Sequence, residues 1–288
     1  MIRRLHILVF LSLACPFFTH CQKVKNIAQG QKRLEYVHAP KMRLLIPTSV
    51  YLPQNYYDSD SDAANGKRYP VVIMLHGFGG DHAQWSRITD LRKLADKSET
   101  IIVCPDGGYD SWYFDSTSDT KDFYYERHII NEVITHIDTT YRTLGAKARA
   151  ITGLSMGGHG ALRFISLYPD SFVAASSLSG ILDLRAFPLS WNISQKIGPI
   201  RKFPTRWKLN SCVNLVTRLK GEKKGILVDC GTEDFALAVN RAYRDSTAVH
   251  HVKISYREES GGHTSEFWKD HIDEHFEFLQ NYFPPAKD

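Results

Sequence analysis

Cysteine is scarce in this chain: five in 288 residues, with Cys15 and Cys21 both inside an apolar leader. The other three, Cys104, Cys212 and Cys230, leave room for one disulfide at most, so the fold must rest on a packed core rather than a covalent framework. Apolar runs of membrane-spanning length are also missing, since residues 5–18 fall short of the roughly twenty that a spanning helix needs. No basic stripe interleaved with aromatics is present, which excludes a nucleic-acid partner, and Lys220-Gly221-Glu222-Lys223-Lys224 reads as a solvated turn. His271 and His275 have i, i+4 spacing, but no glutamate follows the first of them as in a zinc-protease helix, so no metal site is expected. No repeat or low-complexity tract divides the chain.

What is there begins with the leader. Arg3 and Arg4 precede an almost wholly apolar stretch, and Thr19-His20-Cys21 closes it, the pattern of a secretory signal over residues 1–21. The expected localisation is therefore exported, periplasmic or secreted. Cys15 and Cys21 leave lipoprotein anchoring open, although neither follows the usual Leu-small-small run. Residues 22–41 read as a linker or N-terminal arm, and residues 42–288 as one catalytic domain, an expectation that 43% hydrophobic and 12% aromatic content can support.

Within that domain, residues 42–52 alternate as edge strands do. Continuous apolar runs at 69–75, 100–104, 148–152, 172–176, 225–230 and 252–256 read as further strands, with helical patterns at 123–141, 155–168, 235–250 and 265–282. Alternation of this kind predicts an α/β fold with a mostly parallel sheet and helices on both faces, its ligand site in the loops beyond the strands' carboxyl ends. Residues 184–219 hold Trp191, Trp207 and several prolines without clear periodicity. They read either as a lid-like insertion over the cleft or as a packed loop.

The chemistry concentrates at Gly153-Leu154-Ser155-Met156-Gly157. This is the Gly-x-Ser-x-Gly nucleophile elbow, set between an expected strand and an expected helix as the motif requires. A serine hydroxyl is a weak nucleophile and needs a base, with a carboxylate to orient it. In strand order, Glu233 and Asp234 follow the 225–230 run, and His263 precedes the last helix in Gly261-Gly262-His263-Thr264. Either carboxylate could be the acid on this reading, and Ser155 and His263 the nucleophile and base. His159, just past the elbow, reads as a packing residue. His76-Gly77-Phe78-Gly79-Gly80 follows the 69–75 run, where Gly77 and Gly79 let the backbone approach a substrate. Such a loop donates one N–H to an oxyanion and the residue after the nucleophile donates another, making Phe78 and Met156 the candidates.

These motifs, together with Pro105-Asp106-Gly107-Gly108, Ser111-Trp112-Tyr113 and Asp229-Cys230-Gly231-Thr232-Glu233-Asp234, resemble the esterase D and tributyrin-esterase branch of the α/β-hydrolases. The chain is also similar to the antigen 85 mycolyltransferases and the family 1 carbohydrate esterases, which include feruloyl esterases. The resemblance implies an α/β-hydrolase fold, Ser155 as nucleophile, Asp234 rather than Glu233 as acid, His263 as base, and Phe78 and Met156 as oxyanion donors. It places Trp112 as a wall of the acyl pocket and implies no cofactor and no metal. Such families act on feruloyl and acetyl esters of polysaccharides, on S-formylglutathione, or as acyltransferases, and fold alone does not choose among these. Export argues against a cytosolic thioester. Trp112, Tyr113, Trp191 and Trp207 suit stacking on a sugar or phenolic group. The expectation is a serine carboxylesterase acting on a small-molecule or carbohydrate ester. Acyl transfer to a sugar hydroxyl, thioester hydrolysis and a non-catalytic carbohydrate-binding module are the alternatives. Oligomeric state is left open.

Overall fold

A strand whose every residue is buried must be covered on both faces, and five consecutive strands here meet that condition. The computed structural model describes residues 31–56, 66–117 and 123–285, so the expected signal at residues 1–21 lies outside the described part. Eight strands form: β1 (Gln31–Ala39), β2 (Leu44–Leu52), β3 (Val71–Leu75), β4 (Ile101–Pro105), β5 (Arg149–Leu154), β6 (Ala174–Leu178), β7 (Gly225–Gly231) and β8 (Ser255–Glu259). They make one sheet in the order β1-β2-β4-β3-β5-β6-β7-β8. The pairs β1/β2 and β2/β4 are antiparallel, and every pair from β4 to β8 is parallel.

Strands β3 to β7 are buried throughout their lengths. Alternate residues feed two cores, as the two-residue period of a strand dictates. Val71, Ile73 and Leu75 join the larger cluster beneath the helix Met156–Leu167, while Val72 and Met74 join the one beneath the last helix, Ser265–Gln280. Each such side chain contributes about 1.5–3 kcal/mol of burial, which makes the centre of this sheet a rigid base for the loops at its carboxyl edge.

Four expectations change in detail. Residues 31–39, read as part of a linker, are the edge strand β1: they pair with β2 in full register from Gln31↔Leu52 to Ala39↔Leu44. Their polar composition misled because only Val37 and Ala39 are buried, while Glu35 is half-buried and the other residues are exposed. The single helix expected over 123–141 is broken into Tyr125–Arg127, a π-helical turn at His128–Val133, and Ile134–Thr140. The last strand begins at Ser255 rather than Val252, because its ladder to β7 starts at Leu227↔Ser255. The aperiodic insertion resolves into short helical turns, among them Ile193–Ile197, Pro204–Asn210 and Cys212–Leu215.

Candidate active site

Ser155 stands between β5 and the helix Met156–Leu167 with φ +53° and ψ −116°, a strained backbone that lifts its side chain off the sheet edge. The flanking glycines make that turn fit. A Cβ on Gly153 would meet the backbone of Gly157, and one on Gly157 would meet the Leu75 carbonyl, so strand and helix pass with no room for side chains.

His263 lies in the turn after β8 and reaches Ser155. Its Nε2 is 2.9 Å from Ser155 Oγ, and its Nδ1 is 3.0 and 2.9 Å from the two carboxylate oxygens of Asp234. Because a carboxylate only accepts, Nδ1 carries the proton and Nε2 is free to accept the serine's. Asp234 is buried and also accepts from Ala236 N–H at 2.7 Å. Burial alone would raise its carboxyl pKa, but hydrogen bonds from His263, Ala236 and Ser179 and the His263 charge outweigh it, holding the group below the usual carboxylate range. Glu233 points elsewhere, to Thr232 Oγ1 at 2.7 Å and to the Gly261 N–H. Chemically, the array can draw the proton from Ser155 as its oxygen attacks a carbonyl, and stabilise the imidazolium that results.

The loop after β3 is fixed at each peptide. Gly77 N–H donates to Gln84 Oε1 at 2.7 Å, Gly79 N–H to the Tyr109 carbonyl at 2.7 Å, and Gly80 N–H to the Gly77 carbonyl at 3.0 Å. His76 Nδ1–H donates to that same Gly77 carbonyl at 2.8 Å, while its Nε2 accepts from Gly107 N–H. With the Gly77 carbonyl held on one side, the trans peptide directs Phe78 N–H to the other. Among the described residues, Phe78 N–H makes no hydrogen bond. Met156 N–H opens a helix and so has no partner within it. Two unclaimed donors thus flank the serine.

A cavity of about 210 Å³ is lined by Gly77, Phe78, Gln84, Leu154, Ser155, Trp191, Phe235, His263 and Trp268. His263 is the one titratable side chain among them. Trp191 comes from the insertion, so that segment does help shape the cleft. Trp112, expected as a wall, does not line it: the ring is 1% exposed and sits behind Trp191, donating Nε1–H to the Trp191 carbonyl at 3.0 Å. Gly79 likewise stays off the lining and holds the Tyr109 loop instead. Tyr113 and Trp207 are core residues. His159 is fully buried, with Nε2 on the Asn210 carbonyl at 2.7 Å, and burial lowers its pKa to about 3. Phe235, Gln84, Trp268 and Ser179 were missed from the sequence. Phe235 directly follows Asp234, a cue that was available; the others reach the site only through folding.

A mostly parallel sheet with a strained serine elbow on its central strand is the α/β-hydrolase architecture. The sequence matches the Esterase family, described as "Putative esterase", over residues 40–279. The chain belongs to this family and is a carboxylic ester hydrolase. It is 27% identical over 240 residues to an acetyl esterase of Caldicellulosiruptor saccharolyticus, covering 79% of this chain and 88% of that one. It is 37% identical over 142 residues to esterase Rv1288 of Mycobacterium tuberculosis, covering 48% of this chain but only 29% of the relative's length. A solved ferulic acid esterase superposes with a TM-score of 0.74 at 24% identity, covering 89% of this chain and 99% of the other, a likeness of fold.

Proposed function

We propose that this protein is an exported serine carboxylesterase in which Ser155 attacks the ester carbonyl, His263 takes and returns the proton, and Asp234 orients the imidazole. Phe78 and Met156 N–H groups stabilise the tetrahedral oxyanion, and the alcohol leaves to give an acyl-enzyme that water then hydrolyses. The observation that carries the reading is the unbroken hydrogen-bond chain from Asp234 through His263 to Ser155 Oγ. Export is supported by Arg3, Arg4 and the apolar stretch that follows.

The acyl group is proposed to be short or hydroxycinnamoyl, carried on carbohydrate. A small cavity walled by Phe78, Trp191, Phe235 and Trp268 favours a neutral, flat or compact group, and Phe235 remains half exposed at its mouth for a ring to stack on. The likeness to an acetyl esterase and a ferulic acid esterase points the same way. Acid release from acetylated and feruloylated oligosaccharides, aryl acetates and long-chain esters tests this, with and without a sugar acceptor in excess. Turnover on the oligosaccharides should far exceed that on aryl acetates, and Ser155→Ala should lose about 10⁴-fold or more in kcat. Parity between the substrates would sink the carbohydrate assignment. New ester in place of free acid would make the protein a transferase.

A further inference from the structure

The cavity beside Ser155 holds about 210 Å³, short of the roughly 300–1,000 Å³ that a whole drug-sized ligand fills. A sugar ester has two halves, and a space of this size seats the acyl half. The alcohol half must then lie outside, across the rim.

Tyr109 stands on that rim. Its ring packs against Phe78, which lines the cavity, with centroids 5.1 Å apart and planes at 64°. It also lies over Gly79, where a Cβ would be 3.5 Å from the ring. Yet Tyr109 does not line the cavity, and it is 64% exposed. A lone exposed aromatic is ordinary on a protein surface. What distinguishes this one is how firmly the chain around it is held. Before it, Gly107 N–H donates to His76 Nε2 and Gly108 N–H to Asp106 Oδ1, both at 2.8 Å. The Tyr109 carbonyl accepts from Gly79 N–H at 2.7 Å. After it, the Asp110 carboxylate accepts from Asn192 Nδ2 at 3.0 Å and pairs with Lys196 Nζ at 2.6 Å. Asn192 and Lys196 belong to the insertion that supplies Trp191, so the Tyr109 loop is tied to the oxyanion loop and to that insertion together. A ring on so fixed a backbone has only its two side-chain torsions to lose when a ligand settles on it.

We propose that Tyr109 is the platform for the sugar ring of the alcohol half, and so a specificity-determining residue for carbohydrate esters. A sugar has an apolar C–H face and a rim of hydroxyls. An open aromatic ring beside Asp110, Asn192 and Lys196 offers a partner to each, whereas an alkyl chain would leave those polar groups idle. The proposal rests on the carbohydrate-ester reading of this site and names the residue that reads the alcohol.

The experiment compares esters that share an acyl group and differ in the alcohol: acetylated xylo-oligosaccharide against methyl acetate, and feruloylated arabinoxylan oligosaccharide against methyl ferulate. Tyr109→Ala keeps every backbone tie of the loop, so thermal stability should hold. It should raise KM for the sugar esters about 5- to 10-fold, the scale of one ring contact, with kcat within about 2-fold. On the methyl esters both constants should stay within about 2-fold. Tyr109→Phe keeps the ring and should match wild type within about 2-fold on all four. Unchanged KM for the sugar esters in Tyr109→Ala overturns the proposal, as does a loss in Tyr109→Phe as large as in the alanine variant. A fall in kcat on methyl and sugar esters alike also overturns it, because the ring would then merely brace Phe78. If wild type prefers the sugar esters throughout, each of these results leaves the carbohydrate reading standing. Wild-type parity between sugar and methyl esters would overturn both.

Discussion

Ser155 carries a backbone conformation that its own side chain opposes, and two glycines make the turn sterically feasible. Gly153 is the more exposed to test. A methyl there would meet the Gly157 backbone, which no rotamer change can relieve. Gly153→Ala should therefore cost about 3 kcal/mol or more of stability, at or beyond the upper end of overpacking penalties, and be read as a large drop in thermal midpoint or as insoluble protein. An unchanged midpoint would mean the elbow is looser than its contacts imply. This much was legible, since the pentapeptide states both the serine of the elbow and the small residues around it. The carboxylate was not, because Glu233 and Asp234 are neighbours in the chain and only the turn after β7 decides which one meets the imidazole.

Among the elements, the insertion at 184–219 does more for the cleft than its irregular sequence announces. It is anchored from below: Trp112 and Trp207 are core residues whose indole N–H groups hold the Trp191 and Gly198 carbonyls. Because the Trp112 hydrogen bond is to the Trp191 carbonyl, which the substitution keeps, Trp191→Ala should leave the insertion in place. Loss of one aromatic wall should raise KM for feruloyl substrates about 10-fold with little change in kcat, as ring contacts of about 0.5–1.5 kcal/mol allow. Steady-state kinetics with feruloyl and acetyl esters would separate this from a general defect, and an unchanged KM would take Trp191 out of the substrate wall. Composition pointed to aromatics around the cleft but could not rank them, since a buried and a lining tryptophan look alike in a chain without periodicity. Strand β1 escaped for the opposite reason: an edge strand with one exposed face reads as polar linker.

At the scale of the whole molecule, the core stands without covalent help from the described cysteines. Cys104, Cys212 and Cys230 are free and buried, and desolvation pushes each thiol well above its ordinary pKa. In protein beginning at residue 22, a thiol reagent should find no reactive group in the native state and three after denaturation, and reductant should leave the thermal midpoint unchanged. A midpoint that falls on reduction would reveal a disulfide. By itself, the order of apolar runs and motifs determined the class of fold, the serine elbow, the histidine and the glycine-rich loop after β3, because each is a local pattern with a local physical cause. The tertiary structure alone decided which carboxylate meets the imidazole and which tryptophan lines the cavity. Those contacts join residues as much as 108 positions apart, as Ser155 and His263 are, and such distances close only when the sheet brings its loops to one edge.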